Sequence, residues 1–136
     1  MAPMEYSINH LEFIQSAISR MADSSAAIKR HAIVVALAVL ASAQVLHQAP
    51  LLVAGMAMTA VFAMLDASYL RIEKGFRSLY DEVRMKPNTE TVDFRMKPLT
   101  KDHAFARVLL SWSIIWLYFS LLFIQAAALV LLVSQP

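Results

Sequence analysis

The sequence predicts an all-α membrane protein: three transmembrane helices, with a helical hairpin extending into the cytoplasm. Three observations predict it. Hydrophobic residues make up 59% of the 136 residues and charged residues only 16%, against roughly 25% charged in soluble domains. Two long stretches, 31–65 and 108–136, contain no Asp, Glu, Lys or Arg. Beside them, apolar residues recur at alternating steps of three and four, the spacing of a packed helical seam.

The same composition excludes several functions. With only 2 Gly there is no phosphate-cradling loop or dinucleotide fingerprint. With 0 Cys there is no disulfide, thiolate metal site or cysteine nucleophile. A net charge of +2 is too small to signal nucleic acid, and no nucleic-acid partner is expected.

Taken in order, the chain opens on Met1-Ala-Pro-Met-Glu-Tyr, which lacks a basic n-region. The first apolar run begins only near Ala32, so this is not a signal peptide and the first span is retained. Residues 5–30 read as a cytoplasmic amphipathic helix, with Leu11, Ile14, Ile18, Met21, Ser25 and Ile28 on one stripe. The 35 uncharged residues from His31 to Leu65 are too many for one straight span, because that helix would be about 50 Å long against a hydrocarbon core of about 30 Å. His47-Gln48-Ala49-Pro50 lies near the middle of the stretch. Pro50 suits the first position of a new helix and disfavours helix at Ala49. The prediction is therefore span 1 over 31–47 and span 2 over 51–70, joined by a tight turn; one kinked span is the alternative.

Residues 71–86 continue as a cytoplasmic helix. Leu65, Tyr69, Ile72, Phe76, Leu79 and Val83 form its stripe, and Glu73–Arg77 and Arg77–Asp81 are i,i+4 pairs. Helix should end at Lys86-Pro87. Residues 87–106 read as a cytoplasmic linker, with Thr91–Met96 alternating polar and apolar as an extended segment does. Arg84-Met-Lys-Pro recurs at Arg95, but two copies of four residues do not make a structural repeat. Thr100 or Asp102 can cap the third helix. Span 3 covers 108–133, with Trp112, Trp116 and Tyr118 near its start as an interfacial belt.

Lys and Arg set the orientation. Residues 1–30 carry Arg20, Lys29 and Arg30; nine more lie within 71–107; the turn 47–50 and the tail 134–136 have none. Three spans place both basic segments on one side, which the positive-inside rule makes cytoplasmic, and the C-terminus on the other. With the hairpin turning near residues 48–50, Ile14 lies level with Arg84, Ile18 with Tyr80 and Ile28 with Leu70. Leu11, Ile14, Ile18 and Met21 can then pack on Tyr69, Ile72, Phe76, Leu79 and Val83 as a stalk. Amphipathic helices lying on the bilayer are the alternative.

Asp66 is the leading candidate residue, because a carboxylate inside an apolar run is costly unless partnered. Register places it level with Ala32, beside His31 and within a turn of Lys29 and Arg30. A clamp formed by Asp66, Lys29, Arg30 and His31 is the main reading, and a proton or ion relay through Asp66 and His31 the rival. His10, His31, His47 and His103 are scattered without metal-ligand spacing; His47 marks the outer turn, and His103 beside Asp102 reads as a solvated helix start. Glu73, Asp81, Glu82, Glu90 and Asp93 are interleaved with Arg and Lys, as on a salt-bridged surface. There is no G-x-S-x-G. No catalytic residue, cofactor or metal is expected, and the chain does not read as an enzyme. Ala32, Ala36, Ser42 and Ala43, and Gly55, Thr59, Ala63 and Ala67, are small-residue stripes suited to close helix packing. Trp112, Trp116, Phe119 and Phe123 share one face of span 3. Ser42, Gln44, Thr59, Ser113, Ser120 and Gln125 are the few polar residues of the spans, too few to line an open aqueous pore at rest.

Phe13-Ile-Gln, Arg20-Met-Ala and Ile28-Lys, then Leu65-Asp-Ala-Ser-Tyr-Leu-Arg, Glu73, Phe76-Arg-Ser-Leu-Tyr-Asp-Glu-Val-Arg84, and Val92-Asp-Phe-Arg-Met together resemble a widespread group of small bacterial membrane proteins. Nearly the whole chain takes part, and Leu65–Arg84 is the specific block. The layout is similar to that of SLATT-type two-span effectors found beside antiphage signalling genes, here with a third span. The resemblance implies the bacterial inner membrane, homo-oligomerisation, and action by perturbing the bilayer when triggered. A non-conducting anchor that recruits a soluble cytoplasmic partner through the stalk, and a small proton-coupled transporter using Asp66, are the rival functions.

Overall fold

The computed structural model describes residues 3–85, 96–101 and 103–134, with side chains from residue 8 onward. Among the described residues there are four helices and no strand: α1 (Pro3–Leu46), α2 (Ala49–Met85), α3 (Phe105–Leu109) and α4 (Trp112–Ser134). Three of them, α1, α2 and α4, are long and apolar enough to cross a membrane. The length of α1 has a simple cause. Between Pro3, which is tolerated in a first helical turn, and Pro50 there is no Pro or Gly, so nothing in 44 residues interrupts the hydrogen-bond ladder.

The turn between α1 and α2 is shorter than the sequence predicts. His47 takes a left-handed conformation (φ 53°), and the Gln48 amide donates to the Ala43 carbonyl at 3.1 Å. This is a Schellman-type C-cap with His in the place usually held by Gly. Gln48 then starts α2, its carbonyl accepting from the Leu51 amide at 3.2 Å. Ala49 is helical despite preceding Pro50, because a first-turn residue needs no amide donor from the proline.

The chain packs as two compact units: Met1–Ser25 with Ser68–Val108, and Ala26–Ala67 with Leu109–Pro136. In the first, Ile14, Ala17, Phe76 and Leu79 form the core, and Ile18, Met21, Ile72, Tyr80, Val83 and Leu99 pack around it half-buried. Leu11 and Tyr69 are half-buried outside that cluster. Glu73 pairs with Arg77 at 2.7 Å one turn along α2. Residues 98–100, expected as plain linker, lie on α2 at Gly75, where a Cβ would come within 3.0 Å of both Pro98 Cβ and Thr100 Cγ2. The Leu99 amide donates to the Gly75 carbonyl at 3.1 Å, and Arg71 donates to the carbonyls of His103 (2.8 Å) and Thr100 (3.4 Å). His103 is accordingly half-buried rather than a solvated helix start, its Nε2 3.1 Å from Ser78 Oγ. The predicted extended segment Thr91–Arg95, and the candidate cap Asp102, lie outside the described residues.

The second unit buries more small and polar residues beside its large apolar ones. Ala32, Ala36 and Ala43 of α1, Leu52, Gly55, Thr59, Asp66 and Ala67 of α2, and Ile114, Tyr118, Gln125, Ala128 and Leu132 of α4 are buried. Val34, Leu37, Val45, Val53, Phe119, Phe123 and Leu131 point outward. Gly55 is where the helices come closest: a Cβ there would stand 2.6 Å from Val39 Cγ1. The predicted third span is divided, with α3 ending at Leu109 and α4 starting at Trp112. Ser111, not Thr100, occupies the N-cap position of α4, its carbonyl accepting from Ile114 and Ile115 at 3.0 Å each.

Candidate functional site

The site builds up from the inner stripe of α2 in the second unit. Asp66 has no accessible surface, and Lys29 Nζ from α1 reaches both its oxygens, Oδ1 at 2.9 Å and Oδ2 at 2.7 Å. The lysine side chain keeps 23% of its surface exposed. Such a pair is costly to assemble, because two charges leave water, and costly to break, because the survivor stays buried.

Two members of the expected clamp are elsewhere. Arg30 is exposed. His31 is also exposed, and its Nδ1 lies 2.6 Å from the Ala27 carbonyl of its own helix. Asp66 meets Lys29, three residues before the expected Ala32 level, because the Schellman turn at His47 closes the hairpin earlier than a turn at 48–50. Sequence reasoning missed Tyr118, which it placed in the interfacial belt. Tyr118 is buried beside Asp66, its hydroxyl short of full hydrogen-bond geometry. Trp112 and Trp116 do face outward, with ring centroids 5.1 Å apart, as do Phe119 and Phe123, 6.4 Å apart.

A second polar layer lies seven residues along both helices. Thr59 and Gln125 are both buried, with Thr59 Oγ1 3.2 Å from Gln125 Oε1 and 2.9 Å from the Gly55 carbonyl. One hydroxyl hydrogen serves only one of these acceptors. Gln125 Nε2 lies 3.2 Å from where a Gly55 Cβ would be and has no hydrogen-bond partner. Turning the amide exchanges its two ends, so in either orientation one polar atom faces Gly55 unmet. A further step of seven gives Leu52 and Leu132, which close the stripe in an apolar cluster with Ala43 and Ala128. A signal was available in the sequence: Asp66, Thr59 and Leu52, and Tyr118, Gln125 and Leu132, each recur at steps of seven. On an all-apolar helix, however, nothing marks the inner face in advance.

Among the described residues no group of His, Cys, Asp or Glu is placed to hold a metal ion. The chain matches no known protein family, no curated protein and no solved structure. Chemically, the arrangement offers one ionisable pair and two polar layers.

Proposed function

We propose that the chain is a three-span integral membrane protein of a bacterial inner membrane. Its N-terminus is cytoplasmic, its C-terminus is periplasmic, and it acts as a membrane-embedded effector in stress or antiphage defence. One observation carries the membrane reading. The second unit is packed inside-out for water, with Ala32, Ala36, Thr59, Asp66 and Gln125 within and Val34, Leu37, Phe119, Phe123 and Leu131 outside. Many small and polar residues inside, beside Leu52, Ile114 and Leu132, with large apolar ones outside, is how helices pack when the surrounding solvent is lipid. The twelve Lys and Arg, all in segments assigned to one side, support the orientation. The effector role and homo-oligomerisation rest on the resemblance of the Leu65–Arg84 block, an associational warrant.

Reporter fusions after Gln48 and at Pro136 test the topology; both should report periplasm, and a cytoplasmic signal at either discards it. Induced expression with a potential-sensitive dye tests the effector role, which requires depolarisation. A groove of about 440 Å³ in the first unit, lined by Gln15, Ile18, Arg77, Tyr80 and Asp81, favours a second reading. It sets charge beside apolar surface, as docking of a soluble partner requires, so an anchor that never conducts would use it. Insertion without depolarisation selects that reading.

A further inference from the structure

We propose that the α2–α4 seam of the second unit is a gated proton path: Asp66 and Tyr118 at its mouth, Thr59 and Gln125 halfway, and Leu52 and Leu132 as the closed gate. This rests on the membrane reading of that unit, and not on the effector role.

The register supports it first. Facing stripes on the two helices carry Asp66, Thr59, Leu52 and Tyr118, Gln125, Leu132, each at steps of seven. The packing follows that order: Tyr118 lies beside Asp66, Gln125 on Thr59, and Leu132 in one apolar cluster with Leu52. Unmet hydrogen-bonding capacity is the second support. The Oγ of Ser111 and one amide atom of Gln125 are buried without a hydrogen-bond partner, and Tyr118, whose hydroxyl lies beside Asp66 short of full hydrogen-bond geometry, stands between them, at steps of seven from the N-cap of α4 onward. Buried polar groups are nearly always paired with protein or ordered water. Polar groups in file on α4, facing the α2 stripe that holds the Asp66 carboxylate, are where water molecules find two or more polar partners each. Cost is the third. An apolar pair of similar volume holds helices at least as well as a buried ion pair, and an ionisable residue inside a membrane bundle marks an ion or proton route by default.

In the proposed step a proton reaches the Asp66 carboxylate from the Lys29 side, which keeps partial exposure. It bonds to one carboxylate oxygen and the ion pair to Lys29 is released. Asp66 then gives the proton to water beside Tyr118. The hydroxyls of Tyr118 and Thr59 each accept one proton and pass one on, so neither changes charge. Gln125 only orients its neighbours. About 10 Å of helix separates successive layers, a distance that water must bridge when the seam opens. Beyond Thr59 and Gln125, the Leu52–Leu132 layer excludes water and stops the path, as apolar constrictions gate other pores by dewetting.

The full chain is reconstituted in phosphatidylethanolamine–phosphatidylglycerol vesicles holding a pH-sensitive dye, and proton entry is driven by a potassium diffusion potential. The variant Leu52→Ser/Leu132→Ser makes the gate polar and should raise proton entry about tenfold or more over wild type. Adding Asp66→Asn should return entry to the wild-type level while co-flotation with the vesicles is unchanged. Leu52→Thr, a smaller perturbation, serves if the double variant does not reconstitute. Entry no faster than wild type in the gate variants overturns the path, as does entry that Asp66→Asn leaves untouched. Equal passage of a bulky anionic dye also overturns it, since that is a general leak. A chain that does not co-float overturns the membrane reading with it; co-flotation without gate-dependent flux overturns the path alone.

Discussion

The two units solve one problem in opposite ways. Both must pack helices, yet the first fills its core with Ile14, Phe76 and Leu79 and the second uses Ala32, Ala36, Ala43 and Ala67. Ion pairs differ in their cations: Arg77, paired with Glu73, is 63% exposed, whereas Lys29, paired with Asp66, is 23% exposed, and both carboxylates are buried. Even the two glycines differ in what they admit. Gly75 receives an extended segment through Pro98 and Thr100, while Gly55 receives a neighbouring helix at Val39 and the Gln125 amide. On the proposed membrane reading, the difference shows what each solvent rewards. Water drives large apolar side chains inward; lipid does not distinguish them from its own tails, so close backbone approach and enclosed polar contacts hold helices instead.

The largest effect that tests this contrast comes from the ion pairs. Lys29→Met should cost about 3–5 kcal/mol, because Asp66 keeps a buried charge without its partner. Arg77→Met should cost less, about 1 kcal/mol, because Arg77 is 63% exposed and water meets most of its charge, although Glu73 keeps only 9% of its side-chain surface. Unfolding titrations in mixed micelles measure both, and equal losses would erase the distinction between the units.

Next come two phenylalanines of equal exposure, Phe13 in the first unit and Phe123 in the second, each 65% accessible. Phe123→Asp should oppose insertion by about 3 kcal/mol and deplete the carbonate-resistant membrane fraction. Phe13→Asp should lie within about 0.5 kcal/mol of wild type, as surface changes in water do. Equal tolerance at both sites would mean that both units share one solvent.

The glycines give a smaller, sharper pair. Gly55→Ala forces Val39 aside and should cost about 1–3 kcal/mol as an overpacked core does, with Val39→Ala restoring part of the loss. Gly75→Ala gains up to about 1 kcal/mol of helix propensity while pushing Pro98 and Thr100 away. Its melting should therefore change little, and its readout is faster hydrogen exchange at the Leu99 amide. Smallest is His47→Gly, which relieves a left-handed residue worth about 1–2 kcal/mol but gives back about 0.5–1 kcal/mol in unfolded-chain freedom. A slight rise in thermal stability is expected, and a fall would mean that the His47 side chain holds the turn.

Much of this molecule was legible in advance from particular residues. The uncharged stretches and Pro50 announced three apolar helices and a turn within residues 47–50, and the step-of-three-and-four stripes named Ile14, Phe76 and Leu79, which the structure buries together. Asp66 stood out by charge alone, and Lys29 by nearness. Less legible were Tyr118 and Gln125, because α4 is apolar on every side and its pattern does not reveal an inner face. His103 and the docking of residues 98–100 were hidden too: extended segments carry no periodicity long enough to locate their contacts.

What the sequence by itself determined is local: where helices run, where they break, and which segments suit lipid. Prolines, charges and apolar runs act on their immediate neighbours, so their effects can be read one stretch at a time. What only the tertiary structure decided is which residues meet. That Asp66 faces Lys29 rather than the Ala32 level depends on one left-handed residue at His47, and three residues of offset there move every pair along the hairpin. That Tyr118 and Gln125 join Asp66 and Thr59 depends on how α4 is rotated. On a helix apolar all round, only close packing against small partners such as Gly55 fixes that rotation, and such packing exists only once the helices are assembled.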